Sequence, residues 1–357
     1  MRVLQVGADR SKRGILFRDS PAFKRQEAYA KKFGNLDIIG FSRKNDGVDV
    51  ISSGTLTVHP TNSSSRWNYM LDALRLAKKL PRPDVVSAQD PFETGFAAWL
   101  IAHHFKVPLH IQVHTDFLSE EYVRAPIDHI RRLLARFILN RAARIRVVSE
   151  RVQKSLETCF HIMKPIAVLP IFADVQRMQD APPDAVLAER FKQFKTKLLV
   201  VSRLESEKNV ELAIRSFAQT HKSDLWACLI IVGDGSEKQR LEASAKELDV
   251  SGRVFFEGER DAAAYYKLAD VVLVPSKYEG YGLVIIEALA AGKPVLSTDV
   301  GIAREAGAIV TTSDKFAGAL ADWFKNGPRT GELKNYPYKN FDEYVEKYCN
   351  DIAACVR

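Results

Sequence analysis

Residues 271–298 read VVLVPSKYEGYGLVIIEALAAGKPVLST, a strand, a glycine loop, a helix and a second strand in one stretch. Val271, Val272, Leu273 and Val274 form a short apolar run of the kind that is buried on both faces of a sheet, and Pro275 stops it. Gly280 and Gly282 follow, then an apolar helical run from Leu283, then a further strand at 295–297. Strand, helix and strand at this spacing make a βαβ unit, which pairs its strands in parallel and lays the helix on one face. Ligands of such sheets gather beyond the carboxyl ends of the strands, where Glu279, Gly280, Tyr281 and Gly282 fall.

The alternation extends outward in both directions. The second half predicts strands at 198–202, 228–232, 254–257, 271–274 and 295–297, with helices at 210–220, 237–248, 262–268 and 283–291. The first half predicts strands at 2–7, 37–41, 84–88, 109–114, 144–149 and 166–169, with amphipathic stretches at 23–33, 66–80, 92–105 and 127–140. Between them, residues 170–197 carry the Pro182-Pro183 pair and a basic run, which suit a hinge and an opening helix. The pattern restarts once, and 357 residues exceed the usual single domain. The fold class is therefore α/β, with two doubly wound, Rossmann-like domains facing a cleft and a helical tail after Pro337.

The chemistry is concentrated in the second half. Gly280-Tyr281-Gly282 at a helix start lets backbone N–H groups approach an anion, which the helix dipole also favours. Glu279 stands just before that helix and Glu287 lies on it, so both carboxylates can border one pocket and accept hydrogen bonds from sugar diols. The alternative makes Glu287 a solvated helix residue, against which stand its apolar neighbours Ile285, Ile286, Ala288 and Leu289. Arg203 leaves a strand end and Lys208 follows before the next helix; two cations there suit a diphosphate, although either alone reads as a surface charge. Gly233-Asp234-Gly235 lacks the G-x-G-x-x-G spacing of a dinucleotide fingerprint and reads as a structural turn. In the first half, His114 and Asp116 stand at the end of a strand, where a functional role and a structural one are equally open.

These residues carry a family likeness. Ser202-Arg203-Leu204, Lys208-Asn209, Gly233-Asp234-Gly235, Pro275-Ser276, Glu279-Gly280-Tyr281-Gly282 and Glu287-Ala288 resemble, in order and spacing, the retaining glycosyltransferases of family four, whose E-x7-E signature runs here from Glu279 to Glu287. The first half resembles the family at Val113-His114-Thr115-Asp116 and around residues 145–150. The resemblance implies a GT-B fold: an acceptor-side domain over 1–170 and a nucleotide-sugar donor domain over 171–339, with the last helix, within 340–357, crossing back to the first domain. It implies that Arg203, Lys208 and Gly14 meet the donor diphosphate, and that Glu287 holds the ribose. Gly280, Tyr281, Gly282 and Leu283 would line the donor sugar, with Gly258 and Glu259 near the base. His114 and Glu279 would be catalytic. The glycine loop after the first strand departs from the family pattern, reading Arg10-Ser11-Lys12-Arg13-Gly14 with one glycine in place of a pair.

The implied reaction moves a hexosyl unit from a nucleoside diphosphate sugar to a hydroxyl acceptor, a glycan or lipid-linked glycan, with retained configuration. No cofactor and no metal are expected, since no Asp-x-Asp motif and no His/Cys cluster of ligand spacing occurs. A sugar-nucleotide epimerase of the same fold and a non-catalytic sugar-nucleotide-binding protein are the alternatives. The four cysteines read as free thiols, no run approaches the ~20 apolar residues of a membrane span, and MRVLQVGADR has no signal-peptide core, so a cytoplasmic location is expected.

Charge is divided unevenly. Residues 1–170 hold 27 Lys and Arg against 16 Asp and Glu, and the remainder 25 against 28. A basic first half fits a polyanion or an anionic membrane surface; nucleic acid is not expected, because no binding motif accompanies the charge. Ile127, Ile130, Leu134, Phe137 and Ile138 recur at helical spacing among Arg124, Arg131, Arg132, Arg136 and Arg141, one apolar face with a basic rim. That face can pack on the sheet, and its rim can still touch lipid headgroups at the inner face of the cytoplasmic membrane.

Overall fold

A computed structural model describes residues 1–8, 14–123, 125–220 and 226–356. Arg124 and the Arg10 to Arg13 part of the glycine loop lie outside the described residues. The chain forms two compact units, Met1–Pro170 with Tyr338–Arg357, and Ile171–Pro337.

The first unit is built on eight strands: β1 (Arg2–Gly7), β2 (Asn35–Gly40), β3 (Ile51–Ser53), β4 (Leu56–Pro60), β5 (Val85–Ala88), β6 (Leu109–Val113), β7 (Arg144–Val147) and β8 (Ile166–Val168). Their order is β3-β4-β2-β1-β5-β6-β7-β8. All pair in parallel except the β3–β4 hairpin at the edge, which the sequence pattern did not suggest. Val3, Val6, Ile38, Val85 and Ile111 are fully buried, as strands covered on both faces require. The Pro21–Phe33 helix opens on Ser20, whose hydroxyl accepts from Phe23 N at 2.9 Å. The Glu150–Phe160 helix is capped in the same way by Ser149.

The Phe341–Ala353 helix belongs to this unit, and side chains fix it there. Tyr348 stacks on Tyr29 with ring centroids 4.2 Å apart, and Tyr29 and Tyr344 share a hydroxyl–hydroxyl bond of 2.9 Å. Asp351, 5% exposed, meets His110 Nε2 at 3.0 Å on one oxygen and pairs with Arg144 Nε on the other. The far nitrogen of His110 meets Ser87 Oγ at 3.0 Å. Arg146 is fully buried and, among the described residues, pairs with no carboxylate; its guanidinium donates to Gln112 Oε1 at 2.8 Å and to the carbonyls of Leu169 and Pro170, and lies 5.0 Å from the Tyr348 ring centroid. A buried cation is tolerable when its N–H groups are satisfied and aromatic faces surround it.

The second unit has six parallel strands: β9 (Thr196–Val201), β10 (Ala227–Val232), β11 (Val254–Gly258), β12 (Val271–Val274), β13 (Val295–Thr298) and β14 (Ile309–Thr311). Their order is β11-β10-β9-β12-β13-β14, so the winding reverses between β9 and β12. β9 stays paired with β10 as far as Val201 and Val232, but meets β12 only at Leu198–Val271 and Leu199–Val272. Beyond those positions β9 and β12 are unpaired, and a crevice opens. Its walls are braced by Gly233, whose φ is +141° and whose added Cβ would lie 1.8 Å from the Ser202 carbonyl oxygen. Only glycine lets the loop after β10 press so closely on the segment that carries Arg203.

Candidate active site

The crevice between the carboxyl ends of β9 and β12 has a volume of about 180 Å³. Ser202, Arg203 and Lys208 line it from one side; Ser276, Glu279 and Val284 line it from the other. This is the switch point of the sheet, where doubly wound folds bind ligands.

Lys208 Nζ donates to Glu279 Oε1 at 2.6 Å, and Ser276 Oγ donates to the same oxygen at 2.8 Å. Both side chains are under one-fifth exposed, so the pair keeps one cation and one anion fixed at the mouth. Ser276 is itself anchored, because its carbonyl accepts from Thr298 Oγ1 at 2.5 Å. Arg203 lines the same crevice, with its guanidinium 71% exposed and bonded to Glu207 one turn along at 3.0 Å.

Gly282 has φ +96° and starts the Leu283–Ala290 helix with no side-chain cap and no acidic residue in its first turn. Such an end presents backbone N–H groups and the positive end of the dipole. Gly280 and Tyr281 are buried, and the Tyr281 carbonyl accepts from Ile302 N at 3.0 Å. Gly258 ends β11 with φ +68° and its carbonyl accepts from Gly233 N at 2.8 Å; Glu259 beside it is exposed.

Glu287 departs from the expected layout of two carboxylates bordering one pocket. It does not line the crevice; it follows Val284, which does, on the same helix face one turn later. Its Oε2 accepts from the Tyr266 hydroxyl at 2.8 Å, a partner that helical periodicity does not reveal. Burial pushes the Glu287 carboxyl above its ordinary range, while Tyr266 and Arg177 pull it back.

In the first unit His114 follows β6 and continues the face that carries His110 and Gln112. Burial, then the charge of Arg146, pushes the His114 pKa down to about 3, so the imidazole is neutral at physiological pH. Asp116 is buried with one oxygen lacking a hydrogen-bond partner, and burial raises its pKa. Gly14 is buried, and its carbonyl accepts from Ser20 Oγ at 2.7 Å and Phe17 N at 3.3 Å, anchoring the turn before the Pro21–Phe33 helix.

The apolar face expected over 127–140 divides in two. In the Pro126–Leu139 helix Ala135, Ile138 and Leu139 are buried, whereas Ile127, Ile130 and Leu133 are 49%, 61% and 70% exposed. Leu133, absent from the expected stripe, extends the exposed ridge at three-residue spacing. Arg131 is bonded to Glu93, and Arg132 to the carbonyls of Phe117 and Ser119.

Among the described residues, no helix is long and apolar enough to cross a membrane, and no cluster of three His, Cys, Asp or Glu forms a metal-ligand set.

Both units are doubly wound sheets, and the solved structures that resemble the chain share this GT-B architecture. Sucrose-phosphate synthase from Thermosynechococcus elongatus superposes with a TM-score of 0.74 at 18% identity, covering 100% of this chain and 96% of that one. Anabaena HepE in complex with UDP and glucose gives 0.72 at 17% identity, covering 100% and 97%. The sequence profile of Glycosyltransferase Family 4 matches residues 29–177, and that of Glycosyl transferases group 1 matches 188–340. The chain belongs to this family of glycosyltransferases. Among curated relatives, alpha-monoglucosyldiacylglycerol synthase of Streptococcus pneumoniae is 28% identical over 63% of this chain and 54% of its own. D-inositol 3-phosphate glycosyltransferase of Corynebacterium jeikeium is 31% identical over 58% and 54%. The chain thus spans about half the length of the curated relatives it matches.

Proposed function

We propose that the protein transfers a hexosyl unit from a nucleoside diphosphate sugar to a hydroxyl of a glycan or lipid-linked glycan, retaining the anomeric configuration and requiring no metal. The observation that carries this reading is the switch-point crevice, where two cations and a carboxylate stand beside an uncapped helix N-terminus. Relatives whose names specify glycosyl transfer, and a structural neighbour holding UDP and glucose, support the donor class. Both family profiles describe glycosyl transferases, which favours transfer over epimerisation.

In this reading Arg203 and Lys208 neutralise the diphosphate. An ammonium has three N–H donors, so Lys208 can keep Glu279 and still reach a phosphate. Each such charge pair at about 4 Å is worth ~4 kcal/mol at an effective dielectric of 20. The family likeness also assigns Gly14 to the donor phosphates. Glu279 accepts from the hexose through Oε2, beside the backbone of Gly280, Tyr281, Gly282 and Leu283; Glu287 takes the ribose diol, and the backbone at Gly258 and Glu259 meets the base. His114, as a neutral imidazole, bonds a hydroxyl of the transferred sugar. The bond from the anomeric carbon to the diphosphate breaks, the acceptor oxygen bonds that carbon on the same face, and the acceptor proton passes to a phosphate oxygen.

Incubating candidate donors with and without acceptors after exhaustive chelation tests the reading. Transfer with retained configuration by NMR is expected, and an absolute need for a divalent metal or an inverted product overturns it.

We further propose peripheral attachment to the cytoplasmic membrane face through the exposed Ile127, Ile130 and Leu133 ridge, with exposed Arg136 and Arg141 beside it. Each basic residue near an anionic surface contributes ~1 kcal/mol. Sedimentation with anionic vesicles at low and high salt tests this, and protein left in the supernatant at low salt overturns it.

A further inference from the structure

Tyr266 is fully buried on the Ala262–Leu268 helix, and its hydroxyl meets Glu287 Oε2. A buried phenol needs a hydrogen-bond partner, and an ionised carboxylate can only accept, so the phenol must donate. Among the described residues Tyr266 is the side chain that donates to Glu287, and it fills one lone-pair site of Oε2. The other charged groups facing it are Arg177, from the Val175–Asp180 helix packed against the same helix, and Asp261. These two pair with each other and act on the Glu287 carboxyl in opposite senses, Arg177 more strongly than Asp261 and less strongly than Tyr266. Tyr266 is left as the polar group that sets both the rotamer and the ionisation of this carboxylate, against the burial that favours its protonated form.

We propose that Tyr266 is the positioning residue that holds Glu287 as an acceptor-only carboxylate and thereby makes the site select a nucleotide with an intact ribose diol over its deoxy forms. This rests on the assignment of Glu287 to the ribose. The diol supplies two O–H donors, and a carboxylate fixed through one oxygen is matched to them. A carboxylate free to rotate turns its acceptors out of line with the diol, and one that takes up a proton presents a donor in place of an acceptor. Val284 lines the crevice and Glu287 follows one turn on, ~4.5 Å along the helix axis. In the proposed reading the diphosphate sits at the helix N-terminus, and the ribose would lie along the helix from it, toward Glu287.

The test is calorimetric titration of uridine, guanosine and adenosine diphosphates and their 2′,3′-dideoxy counterparts into the wild type, Tyr266→Phe and Glu287→Ala. In Tyr266→Phe the tightest ribonucleotide is expected to lose roughly tenfold in affinity, which corresponds to about 1.4 kcal/mol, while its dideoxy counterpart binds both proteins alike. Phe differs by one atom, and a melting temperature within a few degrees of the wild type confirms an intact fold. Equal losses for the ribo and dideoxy forms would mean that the phenol acts only through packing, and would overturn the proposal. If Glu287→Ala abolishes the discrimination and Tyr266→Phe preserves it, the role of Tyr266 alone falls. If Glu287→Ala preserves it, the ribose assignment fails and takes this inference with it. No binding by any of the three diphosphates overturns the donor site itself.

Discussion

The two sheets follow one βαβ plan and use their polar side chains in opposite ways. In the first unit His110, Gln112, Arg144, Arg146 and Asp351 turn inward and satisfy one another beneath the Phe341–Ala353 helix. In the second, Arg203, Lys208 and Glu279 stand at the strand ends, at least part-exposed around a crevice, with Ser276 buried behind Glu279. A polar group satisfied internally holds a fold together, since removing its partner strands it away from water. A charged group at a crevice rim costs little to keep and remains available to a ligand. Substitutions in the two places should therefore separate stability from binding.

The largest effect is expected at Arg146. Arg146→Ala leaves Gln112 and two carbonyls without their donor and should lower the free energy of unfolding by roughly 3 kcal/mol or more. Chemical denaturation measures this, and a loss below about 1 kcal/mol would break the contrast by making the network incidental.

The crevice should behave conversely. Arg203→Ala and Lys208→Ala should each weaken nucleoside diphosphate binding by roughly 1.5–3 kcal/mol, the worth of a charge-assisted hydrogen bond, with little change in melting temperature; Glu287→Ala should weaken it to a similar degree and also lower the melting temperature, because it leaves the buried Tyr266 hydroxyl without its partner. Unchanged affinity in all three would remove the ligand from this unit. His114→Ala should reduce turnover more than nucleotide affinity.

A smaller effect sharpens the comparison through pH. The His114 pKa is depressed to about 3 in the folded chain, so between its ordinary value near 6.5 and that point the unfolded chain binds the extra proton. Stability is fully present above pH 6.5 and declines as pH falls toward 3. His110, lowered mainly by burial, adds to the same slope. His114→Gln should flatten the decline between pH 6 and 4 in denaturation midpoints, and an unaltered slope would exclude His114 as its source.

Legibility in the sequence followed the same division. In the second unit β10, β11 and β12 are apolar runs stopped by Gly233, Gly258 and Pro275, and local pattern suffices to find them, whereas the three-residue edge strand β14 (Ile309–Thr311) is too short to be among the predicted strands. Arg203, Lys208 and Glu279 sit within a few residues of those stops and could be placed at one sheet edge. The β3–β4 hairpin leaves little trace in the pattern because Ile51–Ser53 is short and polar, and the helices Glu150–Phe160 and Phe316–Asn326 fall outside the predicted stretches. The His110–Asp351 contact spans 241 positions, and Asp351 on an amphipathic helix reads as a solvated charge until the sheet is seen behind it. Tyr266 was hidden for a similar reason, since helical periodicity marks it as core and says nothing of its hydroxyl. The split of the Pro126–Leu139 helix was also beyond the sequence, because only tertiary packing decides which part of an apolar stripe the neighbours cover.

The route of the chain has a consequence for its birth on the ribosome. Ile171–Pro337 is continuous, so that unit can mature as soon as it leaves the exit tunnel. The other unit begins earlier and finishes later: β6 and β7 must wait for residues 341–353 before His110, Gln112 and Arg146 find their last partners. During translation the earlier segment would be a nascent sheet with an uncovered polar seam, the natural client of a chaperone. A chain stopped just short of Phe341 would keep the Ile171–Pro337 unit whole and leave the other unit unfinished.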